Sequence, residues 1–417
     1  MTMIFLRRLT LLCLVFGSVA LFAGGFQLYS ESSTDVLGIG GAAVARSGHA
    51  SSAWYNPSAT TTIEVPTAAF GGTLIKLESG YTSPETRHTE WLDEQCRLTG
   101  FFYGVVPIHD DWRLNLSVNA PYGMITQWPH DYSLNTLATF TSLRVCYISP
   151  SVAYRLSDEL SLGVGMNAAI GVARLASYID LSQYGQGQNK LYMRADAEGV
   201  GGFLSLFYQP WEDWSFGVHY QSKIKLNFKG DAKYRQNSYL GGLLQFRNTD
   251  VKTHIDMPAY LAIGVENHSF EKWRFMFDAV WTQWSSYKAL DVTFDKYPGT
   301  NQKGTLRNPR NWHDVWSFRF GAEYQLTDCW VLRAGYMHDL SPSNSRSTSP
   351  EMPDSNKRLF ALGVGYQTPR WGFDLSYAYV DFEGGKLGSQ VAKSHNIPRG
   401  NFDTRCQVLS AAVTLRF

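Results

Sequence analysis

The 417-residue chain is poor in charge and lacks any excess of one sign. Only 18% of its residues are Asp, Glu, Lys or Arg, and the formal net charge is +1. Soluble globular domains carry roughly 25% charged residues. The balance excludes the basic excess of a nucleic-acid binder and the self-repulsion of a charged disordered chain. No long apolar run follows the N-terminus, and mean hydropathy is −0.22, so a bundle of membrane-spanning helices is excluded. Cysteine is scarce. Cys96, Cys146, Cys329 and Cys406 follow the leader without CxxC spacing or paired histidines, so neither a zinc site nor any other metal site is expected. Their even number permits disulfides, but isolated residues on separate strands are the simpler expectation. No GxSxG or HExxH motif is present, which argues against a lipid-acting enzyme.

What is plentiful is aromatic: 13 Trp, 23 Tyr and 24 Phe, with 37 Gly. Met1–Ala23 reads as a secretory signal peptide. Arg7 and Arg8 supply its positive start, and the 14 residues Leu9–Phe22 form an apolar stretch too short to span a bilayer as a helix. The mature chain is expected to begin near Gly24 and to be exported.

The body alternates with period two. Trp371, Phe373, Leu375, Tyr377 and Tyr379 share one face, against Gly372, Asp374, Ser376 and Ala378. Trp316, Phe318, Phe320, Ala322 and Tyr324 alternate with Ser317, Arg319, Gly321 and Glu323. Trp214, Phe216, Val218 and Tyr220 are read as one face that continues through Ile224, Leu226 and Phe228. An aromatic face opposed by Arg, Lys and Gly is the apolar-out, polar-in pattern of strands in lipid. Short turns precede Trp112, Trp214, Trp273, Trp330 and Trp371, and a sixth, Ser157-Asp158-Glu159, precedes Leu160. Seven longer polar stretches separate them, at about 78–94, 127–140, 176–195, 235–250, 288–310, 338–357 and 383–402. Six turns and seven loops require fourteen strands, with both termini on the short-turn side. The predicted fold class is therefore all-β, a fourteen-stranded antiparallel transmembrane barrel over residues 64–417, girdled by Trp at one end. Leu409, Ala411, Val413, Leu415 and the terminal Phe417 form a last strand with the C-terminal signature of outer-membrane barrels. The expected location is the bacterial outer membrane.

Residues 24–63 are rich in Gly, Ala and Ser, too small to face lipid. A fourteen-stranded lumen needs filling or conducts water, so this segment is expected to plug it as a hatch. Gly38-Ile39-Gly40-Gly41 follows no strand and opens no βαβ unit, so it is not a dinucleotide site. No cofactor is expected.

Gly25-Phe26-Gln27-Leu28, then Asn56-Pro57-Ser58, resembles the start of the FadL family of outer-membrane transporters for long-chain fatty acids and other hydrophobic molecules. Pro121-Tyr122-Gly123, Tyr220–Lys229, Trp281-Thr-Gln-Trp284 and Trp312-His313-Asp314 also have family counterparts, in order along some 390 residues. The resemblance implies a fourteen-stranded barrel with an N-terminal hatch. It also implies passive transport of a long-chain fatty acid or similar hydrophobic molecule, and partners limited to that substrate, outer-membrane lipid and the barrel-assembly machinery. Phe26, Asn56, Pro57, Pro121 and Gly123 are the implied hatch and gate residues, with Asn56-Pro57 filling a gap at a kinked third strand. His313 stands where the family carries a pocket lysine, and its parity with Ser317 and Arg319 points it inward. Ser177 stands where the family carries an arginine, so His313 with Arg319 would hold a carboxylate, or the substrate is neutral. The third long loop is shorter than in fatty-acid members, which reduces the outer landing groove. A general porin and a surface adhesin remain the alternatives.

Overall fold

A computed structural model describes residues 25–182, 187–235, 246–300 and 302–417. The signal peptide, and parts of the loops expected near 176–195, 235–250 and 288–310, lie outside the described residues. The rest is a closed antiparallel barrel of fourteen strands. They are β1 (Thr67–Thr82), β2 (Cys96–His109), β3 (Trp112–Gln127), β4 (Phe140–Arg155), β5 (Leu160–Asp180) and β6 (Gln188–Trp211). Next come β7, in two segments (Trp214–Gln221 and Ile224–Tyr234), and β8, likewise (Thr249–Met257 and Tyr260–Phe270). The circuit continues through β9 (Trp273–Thr282), β10 (Val315–Gln325), β11 (Trp330–Asp339), β12 (Lys357–Gln367), β13 (Trp371–Phe382) and β14 (Asn401–Arg416). Closure runs from Thr67↔Arg416 to Thr82↔Asn401, so the first and last strands leave no edge open to lipid. Among the described residues no helix is long and apolar enough to cross a membrane; the strands cross it.

Alternation decides which side chains meet lipid. Trp316, Phe318 and Phe320 are exposed on the outer wall, whereas Ser317, Arg319 and Glu323 are buried inside. The five turn-following tryptophans are all exposed at the short-turn end. Three of them pack on a tyrosine of the neighbouring strand: Trp112 on Tyr154 at 4.5 Å, Trp273 on Tyr324 at 4.7 Å and Trp330 on Tyr366 at 5.0 Å between centroids. Such amphipathic rings suit the membrane interface. The four cysteines lie on separate strands or turns, and Cys96, Cys329 and Cys406 are free thiols.

One face assignment is overturned. Tyr220 is 43% exposed on the outside, but Phe228 is 1% exposed, and Ile224 and Leu226 are fully buried. β7 breaks at Ser222-Lys223, where Ser222 N donates to Gly202 O and Gly202 N to Ser222 Oγ. The two-residue interruption flips the parity. Above it Lys225 and Lys229 are exposed and the apolar side chains turn in over Gly171 and Gly199. A side chain at Gly199 would meet Ile224 and Leu226 at 2.8 Å.

Residues 25–63 lie inside the barrel. Two short helices, α1 (Thr34–Leu37) and α2 (Ser52–Tyr55), are joined by irregular chain and flanked by 3₁₀ turns at Ser30–Ser32 and Pro57–Thr62. Lumen-facing side chains of many strands hold this segment. Thr34 Oγ1 bonds Ser410 Oγ at 2.6 Å, Thr61 Oγ1 bonds Ser161 Oγ at 2.8 Å, and Tyr103 Oη donates to Ser32 O. The Gly40-Gly41 pair takes φ of +64° and +89°, which favours glycine. It runs so close to β11 that a Cβ on Gly335 would stand 2.0 Å from Gly40 N.

Candidate functional site

Pro121 deprives β3 of a ladder donor and Gly123 of a side chain. The ladder to β4 shifts register between Asn119 and Tyr122, as a bulge there requires. Pairing of β3 with β2 runs only from His109↔Trp112 to Phe102↔Val118. Beyond Val118, residues 119–126 of β3 are buried on both faces, so this stretch bends inward, away from β2, while its ladder to β4 continues to Gln127↔Phe140. The β3-side edge of Cys96–Phe101 has no ladder partner, although its other edge pairs with β1. At its outer end this seam is tied again: Asp93 N donates to Gln127 O at 2.9 Å, and Gln127 Nε2 to Asp93 Oδ2 at 2.9 Å.

The start of the hatch takes the place of the missing partner. Gln27 bridges Tyr122 in antiparallel fashion. Leu28 N donates to Pro121 O at 2.7 Å and Gly123 N to Phe26 O at 2.9 Å. The segment against the kink is therefore Phe26–Leu28, not Asn56-Pro57 as expected. Asn56 is committed elsewhere: its Nδ2 donates to Val44 O (2.6 Å) and to Leu206 O of β6 (3.1 Å). Ser58 N bonds Ser205 Oγ at 3.0 Å, which fixes Pro57 against β5 and β6.

Phe26 is the hub of an aromatic cluster. Its ring lies 4.7 Å from Trp284, 5.7 Å from Tyr287, 5.9 Å from Trp312 and 6.1 Å from Tyr122. Trp284, Tyr287 and Trp312 all belong to the long β9–β10 loop, so that loop, the kinked β3 and the hatch meet in one apolar body. The Trp284 indole N–H and the Tyr147 hydroxyl, both buried here, have no protein partner among the described residues.

The expected head-group residues do not converge. His313 is exposed, with its backbone N–H on Pro342 O, because β10 begins only at Val315 and strand parity does not reach back to it. The expectation of an inward His313 is thus corrected. Ser177 is half-buried near the end of β5, opposite Leu191. Arg319 does point inward. It lies deeper, with its guanidinium 3.6 Å above the Tyr29 ring, and its Nε and Nη1 have no partner among the described residues. The cation at the aromatic cluster is one the sequence reading missed, Arg310. It is 4% exposed, lies against the Tyr287 hydroxyl and is paired with Glu351. Its signal was its place two residues before Trp312 in the stretch already marked by His313.

Below the cluster the hatch is held by charge. Asp278 Oδ2 of β9 accepts Ala43 N at 2.7 Å and Val44 N at 3.0 Å. Arg46 bridges Asp35 at 2.5 Å and Glu323 of β10 at 2.7 Å, and Arg333 of β11 joins Glu323 and Asp374, each at 2.6 Å. The Arg46 charge, outweighing burial, holds Asp35 well below the usual carboxylate range. Burial, then the Arg46 charge, pulls His49 down to about 3. Burial pushes Glu31 up to about 7.

Over residues 14–417 the chain matches the family described as outer membrane protein transport protein (OMPP1/FadL/TodX). It is 24% identical over 398 residues to the long-chain fatty acid transport protein of Escherichia coli K12, covering 84% of this chain and 85% of that protein. It is 26% identical over 393 residues to the 47 kDa outer membrane protein of Pasteurella multocida, covering 88% and 89%. Among solved structures, a Pseudomonas aeruginosa FadL homologue superposes with TM-score 0.80 at 21% identity, covering 94% of this chain and all of that one. The Pseudomonas putida toluene transporter TodX superposes with TM-score 0.76 at 15% identity, covering 94% and 99%.

Proposed function

Since the chain belongs to the OMPP1/FadL/TodX family of outer-membrane transport proteins, we propose that it takes up long-chain fatty acids or similar hydrophobic molecules passively, through the seam between β2 and β3. The family consists of transport channels, not enzymes, and the barrel is an outer-membrane one. A hydrophobic molecule enters among the long loops and displaces Phe26 from its ring neighbours. Each buried CH₂ favours binding by about 0.8 kcal/mol. A carboxylate needs a cation or donors, since an unpaired buried charge is costly. Arg310 supplies that cation at the aromatic cluster, with Arg319 deeper; His313 is exposed and Ser177 carries no charge, so neither takes that part. Moving Phe26 withdraws Leu28 and Gln27 from β3, and the molecule leaves sideways into the membrane.

The observation that carries this reading is the coincidence of three features at one place: β2 and β3 part at Val118, β3 turns inward at Pro121-Gly123, and the backbone of the hatch pairs with β3 there. A neutral substrate remains a second reading, because six aromatic rings dominate the cluster and the toluene transporter TodX shares the fold. Labelled oleate and labelled toluene, offered to a host that lacks its own transporter and expresses this chain, test both. Uptake of oleate supports the carboxylate route, and uptake of toluene alone discards the head-group role of Arg310. Uptake of neither by a folded barrel refutes transport through the seam and favours a porin, which ion conductance would reveal, or an adhesin.

A further inference from the structure

We infer that Glu351 is a tethered decoy carboxylate, which occupies the Arg310 site until the carboxylate of an incoming long-chain acid displaces it. This rests on the proposal that Arg310 is the head-group cation, and it adds a regulation of that site.

The geometry of Arg310 is that of a built anion site. Its Nη2 donates to Glu351 Oε2, and its Nη1 donates to Ser349 Oγ at 3.0 Å and Ser347 O at 3.5 Å. Ser349 Oγ in turn donates to Glu351 Oε2 at 3.2 Å. Nε, which would complete a two-point clasp on a carboxylate, is buried and has no partner among the described residues. Glu351 therefore holds the fork by one oxygen and leaves a donor unused. A free carboxylate that is not restrained by a loop can take Nε and Nη2 together.

The backbone at Arg310 is held by residues other than Glu351. Arg310 N donates to Lys288 O at 2.8 Å, and Arg310 O accepts Asn344 Nδ2 at 3.0 Å and Ser347 Oγ at 2.8 Å. The cation stays in place when its partner is exchanged. Arginine cannot lose its proton, so an empty site would leave a buried charge unpaired. Glu351 removes that cost while no substrate is bound. Its side chain is already 13% exposed, so it reaches solvent by a small rotation.

Exchange also reaches the seam. The loop that carries Glu351 is tied to the outer end of β3: Trp128 Nε1 donates to Pro350 O at 2.9 Å and Thr126 Oγ1 to Glu351 O at 3.1 Å. Release of Glu351 loosens these two bonds at the end of the strand whose inward bend makes the seam. An acid thus loosens β3 as it binds, and an ester of the same chain length does not.

The test compares oleate with methyl oleate on the purified full-length barrel, read by quenching of tryptophan fluorescence. A tethered competitor acts at an effective concentration near the millimolar range. Glu351→Gln should therefore raise the ratio of oleate to methyl oleate affinity by about tenfold, and Arg310→Gln should bring that ratio down toward one. An unchanged ratio in Glu351→Gln, beside a wild-type barrel that prefers oleate, overturns the decoy and leaves transport standing. A wild-type barrel that binds neither ligand overturns both. Hydrogen exchange on the unmutated protein covers the case of a variant that does not fold. Oleate should speed exchange across residues 345–352 while methyl oleate leaves it unchanged, and equal protection with both overturns the decoy.

Discussion

Arg46→Met probes what keeps the hatch in the barrel. Arg46 is 1% exposed and joins hatch carboxylate Asp35 to barrel carboxylate Glu323. Two guanidinium groups, Arg46 and Arg333, serve three carboxylates in this network, Asp35, Glu323 and Asp374. Removing one guanidinium leaves three buried carboxylates to one cation. Breaking a buried pair by deleting one partner costs roughly 3–5 kcal/mol, because the other charge stays desolvated. If that cost falls on docking, the hatch equilibrium shifts by roughly 150- to 4,000-fold toward the displaced state. The barrel should still form, since its ladder bonds do not pass through Arg46. The assay is ion conductance in planar bilayers, beside protease cleavage of residues 25–63 and heat-modifiable migration of the barrel. Higher conductance and faster cleavage, with migration unchanged, are expected. Neutralising the partners as well, in Asp35→Asn with Arg46→Met and Glu323→Gln, should recover most of the docking. A folded Arg46→Met barrel with wild-type conductance and cleavage would refute the charge network as the hatch anchor.

Three further outcomes are expected. Pro121→Val with Gly123→Val restores a ladder donor and side chains at the kink, so uptake should slow while heat-modifiable migration is unchanged; normal uptake would exclude exit at this seam. Gly335→Val puts a Cβ where Gly40 N stands 2.0 Å away, so it should displace the hatch and raise protease cleavage of residues 25–63 without unfolding the barrel. The pH response separates two hatch groups of opposite sign. His49 is held at about 3, so a displaced hatch binds a proton below its ordinary 6.5 and docking weakens on acidification. Glu31 sits at about 7, so the docked hatch holds a proton that the displaced one, with an ordinary value of 4.5, releases, and docking strengthens on acidification. Between pH 7.5 and 5, protease cleavage should therefore fall in His49→Gln and rise in Glu31→Gln; parallel trends would contradict both assignments.

Much of the barrel was legible because a lipid-facing wall imposes a strict rule on every second residue. Trp316 to Tyr324 and Trp371 to Tyr379 obey it, and the Trp after five of the six short turns marks where a strand re-enters the interface. The rule failed at Ile224, Leu226 and Phe228, where a break of two residues reverses parity and no local pattern records it. It failed again at His313, which lies before β10 begins. The kink was legible too, since Pro121 and Gly123 are poor strand residues wherever they fall.

Strand number, closure and the presence of a small-residue plug were thus determined along the chain, by alternation, turn spacing and composition. Those are properties read along the chain, from one residue to its near neighbours and from one turn to the next. Which hatch residues meet the kink, and which cation meets the aromatic cluster, were decided only by tertiary structure. Phe26 and Tyr122 are 96 positions apart, Arg310 and Glu351 belong to different loops, and Asp35 and Glu323 come from the plug and the wall. Such pairs are chosen by how a folded plug packs in a closed lumen, where each buried charge or donor must find its partner across the chain.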